Sequence, residues 1–109
     1  MSLAIVYTRA ALGIEAPLIT VEVHLSNGLP GLTMETTVKE ARDRVRSALI
    51  NSGYAFPAKK ITINLAPADL PKEGGRYDLP IALALLVASE QLNTTRLNQY
   101  EFVGQLALT

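Results

Sequence analysis

The sequence predicts an α/β protein of the α+β type, in which a mixed β-sheet carries two helices on one face. Leu18–Leu25 alternates apolar and polar residues, as a strand with one wet face does. Val38–Ser52 has apolar residues at helical spacing. Lys60–Ser89 reads as a strand, a polar loop and a helix without charge from Ile81 to Ala88. The order β-β-β-α-β-α-β fits a mixed sheet with helices on one face.

The first third of the chain predicts three strands. Leu3–Thr8 is a mostly apolar run, and the Leu18–Leu25 strand follows a turn region that contains Gly13. Ser26-Asn27-Gly28 is a turn signal, which indicates a hairpin into a third strand at Leu32–Met34.

The first predicted helix, Val38–Ser52, begins at a Thr-x-x-Glu capping box and ends before Gly53. Pairing at i, i+4 joins Lys39 to Asp43 and Glu40 to Arg44. It leaves Arg42 and Arg46 for solvent, for a partner subunit or for a phosphate. The alternative is a solvated face held by salt bridges.

The second predicted helix begins at Asp78, whose side chain is expected to be the N-cap, and ends near Gln91. Pro80 lies in the first turn, where a missing N–H costs nothing. Because this helix is apolar on nearly all sides, we expect it to be buried at the centre of the core. Tyr100–Leu108 is predicted to be a last strand.

Composition excludes several classes of function. The ten basic and ten acidic residues cancel, which argues against a dedicated nucleic-acid module but leaves a local basic patch open. The chain has no cysteine and one histidine, His24, so no metal site or disulfide is expected. The longest uncharged run is about a dozen residues, too short to span a bilayer. Residues Met1–Arg9 do not show the basic-then-apolar pattern of a signal peptide, so we expect no membrane contact and a cytoplasmic location.

The polar loop before the second helix is a candidate anion site. Backbone N–H groups, positive charge and a helix N-terminus are the parts that such a site needs. Its residues are Lys72, Gly74, Gly75, Arg76 and Asp78. The carboxylate at the helix start weakens this interpretation, and the alternative is a solvated loop with glycines for turn geometry. No phosphate-binding loop of the NTPase kind occurs in the chain.

A hydrolytic site finds little support. No serine lies in a Gly-x-Ser-x-Gly elbow, and nothing in the spacing brings His24 to a serine and an acid. The loop carboxylates Asp69, Glu73 and Asp78 neighbour Lys and Arg, so we expect them to be solvated or paired. No catalytic residue is therefore predicted.

Four segments carry a resemblance to a known family. They are Gly28–Thr33, Glu35–Leu49, Ile61–Ala82 and Val103–Thr109. The most specific is the run Leu-Ala-Pro-Ala-Asp-Leu-Pro-Lys-Glu-Gly-Gly-Arg-Tyr-Asp-Leu-Pro. Together they resemble the N-terminal domain of the ComM/YifB family, the Mg-chelatase-like AAA+ ATPases of bacteria. One departure stands at Met34-Glu35, where the family usually has a further Gly-Leu-Pro-type turn.

The resemblance implies a non-catalytic domain of a larger machine. Family members carry a separate AAA+ ATPase module after this domain, and ComM is described as a hexameric DNA helicase that promotes branch migration during natural transformation. ATP and Mg²⁺ are then expected only in that module, with no cofactor in this chain. We expect residues 1–109 to form one domain of a longer protein, because Thr109 lies in a stretch that still reads as a strand.

Under this reading the domain helps a homo-hexameric ring to assemble or guides DNA into it. The residues expected to touch DNA phosphates are Arg42, Arg46, Lys72 and Arg76. The alternative is a pure oligomerisation or partner-docking domain without DNA contact. A chelatase-related role stays open, although no tetrapyrrole-binding pattern is visible.

The family's domain is similar in turn to the proteolytic domain of Lon, which implies a Lon-like fold. Pro71-Lys72-Glu73-Gly74 resembles the Lon segment Pro-Lys-Asp-Gly-Pro-Ser-Ala-Gly. Counting from Pro71, Arg76 stands where the Lon serine would be. The resemblance therefore implies the Lon fold without Lon's chemistry.

Overall fold

A computed structural model describes residues 2–33, 41–67, 75–92 and 96–108. Its strands are β1 (Ser2–Arg9), β2 (Leu18–Ser26), β3 (Gly31–Thr33) and β4 (Lys60–Ala66). Its helices are α1 (Ala41–Asn51) and α2 (Asp78–Ala88), with 3₁₀ turns at Gly75–Tyr77 and Leu97–Gln99. The predicted capping box at Thr37–Glu40 lies outside the described residues.

The four strands form one mixed sheet in the order β1-β2-β4-β3. β1, β2 and β4 are antiparallel, while β3 runs parallel to β4. The predicted mixed sheet is confirmed, but the predicted hairpin between β2 and β3 is wrong, because β4 lies between them. The turn at Gly28 has a left-handed φ of 140°, and the chain then continues to the far side of β4 instead of folding back on β2.

One face of the sheet is buried and the other contacts solvent. In β2, Ile19, Val21, Val23 and Leu25 are buried, whereas the residues between them are half-buried. This confirms the predicted alternation. The buried face contacts α2, which lies against β1 and β2, and α1 packs beside α2. Both helices therefore cover the same side of the sheet, as predicted.

Helix α1 ends where the sequence predicts. Gly53 adopts a left-handed φ of 88°, and the next N–H groups bond back to the last turn, Gly53 to Ile50 and Tyr54 to Leu49. This is a glycine stop, because a residue with a Cβ is strained in that conformation.

Helix α2 is buried on nearly all sides, as its lack of charge predicts. It ends at Ala88 rather than near Gln91, because Glu90 adopts a left-handed φ of 62°. The N–H of Gln91 then bonds back to the carbonyl of Leu86, which closes the helix end. Pro80 lies in the first turn, as predicted.

The predicted last strand at Tyr100–Leu108 is wrong. Only Glu101 forms a bridge, with Tyr7 of β1, and the N–H of Phe102 donates to the Tyr7 carbonyl. The segment then leaves the sheet, because Gly104 exchanges hydrogen bonds with backbone groups beside the α2 start. Its N–H donates to the Arg76 carbonyl, and its carbonyl accepts from the N–H of Leu79. We call residues 101–108 the docking segment.

Candidate anion-binding groove and the Asp78 cluster

A groove with a volume of about 400 Å³ lies between α1 and the approach to β4. Three cations line it: Arg42 and Arg46 from α1, and Lys59 from the residue before β4. The arginines share the groove because residues four apart lie on one helix face. We call this groove, with Arg42, Arg46 and Lys59 in its wall, the basic groove.

An aromatic ring forms part of the groove wall. The guanidinium carbon of Arg46 lies 5.9 Å from the ring centre of Phe56, within cation–π range. The chain before Phe56 is fixed by Gln91, whose side-chain amide donates to the Ala55 carbonyl at 2.7 Å and accepts from the Ala55 N–H at 2.7 Å. The groove wall is therefore tied to the end of α2.

One carboxylate lies among the three cations. Asp43 lines the groove, and its Oδ1 is 3.7 Å from the Arg42 Nε. Both side chains are more than half exposed, so this ion pair is weak. Three cations against one carboxylate leave the groove positive. The predicted partners Lys39 and Glu40 lie outside the described residues.

The prediction that Asp78 is the N-cap of α2 is wrong. Asp78 is the first residue of the helix, and Tyr77 occupies the N-cap position without a hydrogen bond from its side chain. The Asp78 carboxylate is fully buried and faces Arg44 of α1. Arg44 Nε donates to Oδ2 at 2.7 Å and Arg44 Nη2 to Oδ1 at 3.1 Å. Oδ2 also accepts the N–H of Leu106 at 3.0 Å.

We call Asp78, Arg44 and the backbone N–H of Leu106 the Asp78 cluster. It joins three parts of the fold: α1, the start of α2 and the docking segment. Its carboxylate already occupies the N-terminal end of α2, where a negative charge is favoured. The arginines of α1 therefore have different contacts. Arg44 points to α2, whereas Arg42 and Arg46 lie on the groove side of the helix.

The remaining predicted site residues lie apart from the basic groove or outside the described residues. Arg76 is half-buried beside the docking segment, and its Nε has no hydrogen-bond partner among the described residues. Gly75 precedes it, and a Cβ there would approach the Gln105 side chain to 2.5 Å. Lys72 and Gly74 lie outside the described residues. The structure thus brings together Arg42 and Arg46, but not Arg76 with them.

Lys59 is a groove residue that the sequence does not join to Arg42 and Arg46. Lys59 is 13 residues beyond Arg46 in the chain, and no periodic pattern connects them. The signal that could have found the groove is the glycine stop at Gly53, because it turns the chain back along α1.

An exposed ion pair anchors the start of the docking segment. Arg9 Nε and Nη2 donate to the two Glu101 oxygens at 2.8 and 2.7 Å, and Arg9 Nη1 donates to the Ala16 carbonyl. The hydrogen bond from Arg9 lowers the pKa of Glu101. The same bond raises the pKa of Arg9.

This pair predicts that the docking segment loosens in acid. A carboxylate with a lowered pKa stabilises the fold above its unfolded pKa, about 4.3, and loses that contribution as pH falls through its folded value. We expect the amide of Phe102, which bonds to β1, to exchange faster below pH about 4 relative to core amides. Hydrogen exchange measured by NMR from pH 6 to pH 3 checks this.

Glu101→Gln is the control for the pH prediction, since it should remove the pH dependence at Phe102 while core amides keep theirs. Equal acid sensitivity in both chains would show that Glu101 does not control the docking segment. The effect should also shrink in salt, because both side chains are 44% exposed.

Within the parts of the chain that the structure describes, no three His, Cys, Asp or Glu side chains are grouped so that they could hold a metal ion. In the same residues, no helix has the length and apolar character to cross a membrane.

The chain belongs to the family described as subunit ChlI of Mg-chelatase, whose model matches residues 21–109. Among its relatives, the YifB protein of Salmonella typhimurium is 80% identical, and the competence protein ComM of Haemophilus influenzae is 66% identical. An uncharacterised protein of Mycobacterium bovis is 34% identical. The predicted membership of the ComM/YifB family, as its N-terminal domain, is confirmed.

These matches cover 99–100% of this chain but only 22% of each relative. The chain thus spans about a fifth of their length. The YifB and ComM matches extend over 113 positions, whereas this chain has 109 residues. The relatives therefore have residues without a counterpart here. The predicted departure at Met34-Glu35 would account for this, and it lies outside the described residues.

Proposed function

We propose that this domain guides DNA into a ring-shaped ATPase of the ComM/YifB kind in the cytoplasm, as a non-catalytic part of a helicase that acts in branch migration. The observation that carries the proposal is that Arg42, Arg46 and Lys59 line one groove. Arginine and lysine side chains contact phosphate oxygens, which positions a nucleic acid without reading its sequence.

The low net charge of the chain is compatible with this role. Affinity for DNA depends on the cations that meet phosphates, and three per domain would bind weakly. Six domains in a hexameric ring would multiply that weak site, because the later contacts become intramolecular. ATP and Mg²⁺ would act in the separate ATPase module.

The test is a salt titration of binding to single-stranded and four-way-junction DNA. Each phosphate contact contributes about 0.7 to the logarithmic salt slope for single strands. The triple variant Arg42→Ala/Arg46→Ala/Lys59→Ala should therefore flatten the slope by about 2 and weaken binding at low salt. Arg76→Ala, measured alongside, tests the predicted loop residue.

Lys60→Ala is the matched control. Lys60 is exposed and adjacent to Lys59 in the chain, but it does not line the groove. Its removal should leave the salt slope unchanged. If the triple variant binds as tightly as the unaltered chain, or if the unaltered chain binds no DNA at low salt, the proposed role of the groove is wrong.

A second candidate is an assembly domain, in which the same face meets a neighbouring subunit. It is favoured by Asp43, which is 77% exposed and places a negative charge beside Arg42. Faces that carry both signs of charge suit complementary contacts between proteins. Arg42→Glu/Arg46→Glu would separate the two functions, because loss of assembly with DNA affinity unchanged supports this candidate.

A further inference from the structure

A second cavity adjoins the basic groove and shares part of its wall. Its volume is about 530 Å³, within the range of about 300–1,000 Å³ that small-molecule sites occupy. Phe56, Pro57 and Lys59 line both spaces, and Leu25 and Ala88 add apolar side chains to the second. We call this second space the side cavity. It meets the basic groove at the Phe56 ring.

The two spaces differ in charge. The basic groove has three cations and one carboxylate, that of Asp43. Among the described residues around the side cavity, the charged ones are Lys59 and Glu90, and their charges cancel. Because a surplus of positive charge attracts anions, a phosphate is favoured in the basic groove. The side cavity suits an uncharged ring with polar edges, which is the chemistry of a nucleobase.

The Phe56 ring is held in place by its neighbours in the chain. Both backbone groups of Ala55 bond to the side chain of Gln91, and Pro57 restricts the backbone of Phe56 to extended conformations. The ring is half-buried and packs in part against the core. A base that stacks on this ring therefore meets a surface that loses little conformational freedom on binding.

Stacking on a side-chain ring requires a base whose faces are free. In duplex DNA each base is paired and stacked between its neighbours, so the grooves present only its edges. Proteins that bind single strands combine a positive groove for the backbone with aromatic rings for the bases. The basic groove has both parts, since the Arg46 guanidinium lies 5.9 Å from the centre of the Phe56 ring.

We propose that the basic groove binds single-stranded DNA, whose phosphates contact its cations while one unpaired base stacks on Phe56 in the side cavity. This inference rests on the proposed function and deepens it, because it names the form of DNA that is bound and the residue that selects it. The cations attract the phosphates of any nucleic acid. Phe56 adds a contact that only an unpaired base can make.

The test compares two labelled strands by fluorescence anisotropy at low salt: a thymidine strand of about eight nucleotides and an abasic strand with the same phosphates. The unaltered chain should bind the thymidine strand at least about fivefold more tightly, since one stacked base contributes about this factor or more. Phe56→Leu should remove the difference, because leucine keeps an apolar side chain against the core but has no π face. Its salt slope should not change, because the phosphate contacts remain.

Tyr54→Leu is the matched control. Tyr54 lies two residues before Phe56 and is also aromatic, with 39% of it exposed, but it lines neither the basic groove nor the side cavity. Its replacement should leave the affinity for both strands unchanged.

Phe56→Trp gives a direct readout of stacking, because the chain has no tryptophan of its own. An indole ring at this position keeps a π face on which a base can stack. Its fluorescence should fall when the thymidine strand is added, and it should not fall with the abasic strand.

The outcomes separate this inference from the proposed function. Equal affinity for the two strands, with a salt slope that the triple variant flattens, overturns the role of Phe56 and leaves the groove's role in DNA binding intact. A Phe56→Leu chain that still prefers the thymidine strand, or that binds both strands equally less well than the unaltered chain, also overturns it. If neither strand binds at low salt, the proposed function and this inference are both wrong.

Discussion

Asp78→Ala is expected to lower the free energy of unfolding by about 3–5 kcal/mol, because it removes the buried carboxylate to which Arg44 donates two hydrogen bonds. The carboxylate is fully buried, and it accepts two hydrogen bonds from Arg44 and one from the N–H of Leu106. All three donors lose their acceptor at once. Chemical denaturation followed by circular dichroism measures the loss.

The matched control is Asp43→Ala, which removes an exposed aspartate that is also paired with an arginine. Its partner Arg42 is 3.7 Å away, and we expect a loss below about 0.5 kcal/mol. The double variant Arg44→Met/Asp78→Ala should be more stable than Asp78→Ala alone, since the arginine charge that has lost its buried carboxylate is removed with it. A loss for Asp78→Ala as small as that for Asp43→Ala would show that the cluster contributes little.

The Asp78 cluster also shows where sequence reasoning fails. Asp78 before an apolar helix is a typical N-cap signal, but a local signal of this kind carries no information about a tertiary partner. Arg44 is 34 residues away in the chain. Its local partner by helical spacing was Glu40, so nothing within α1 indicated a contact with α2. A buried ion pair between two helices is a product of packing, which a single sequence does not display.

The fold follows the same division between local and long-range information. Alternation in β2, the apolar helix α2 and the stop at Gly53 are local patterns, and the structure confirms each of them. The position of β4 between β2 and β3 is long-range, and the Asn27-Gly28 turn signal predicted a hairpin instead. In the candidate site, helical spacing places Arg42 beside Arg46, whereas Lys59 joins them only through the tertiary fold.

Leu85→Ala is expected to lower the free energy of unfolding by about 2–5 kcal/mol. Leu85 is 1% exposed in the middle of α2, which lies against β1, β2 and α1. Alanine is the better helix former, so the loss reports packing and not helix propensity. For a chain of this length it would remove a large share of a total stability of about 5–15 kcal/mol. Thermal and urea denaturation measure it.

Leu83→Ala makes the same chemical change two residues earlier in the same helix, where the side chain is only half-buried. We expect a loss of about 1 kcal/mol there, because fewer contacts are removed. If both variants lose the same amount, the burial of α2 is uniform around its axis and Leu85 has no special place in the core. If Leu85→Ala loses much more unfolding free energy than Leu83→Ala, α2 is held mainly by its contacts with the sheet. The Asp78 cluster and the docking segment then contact a helix whose position the sheet determines.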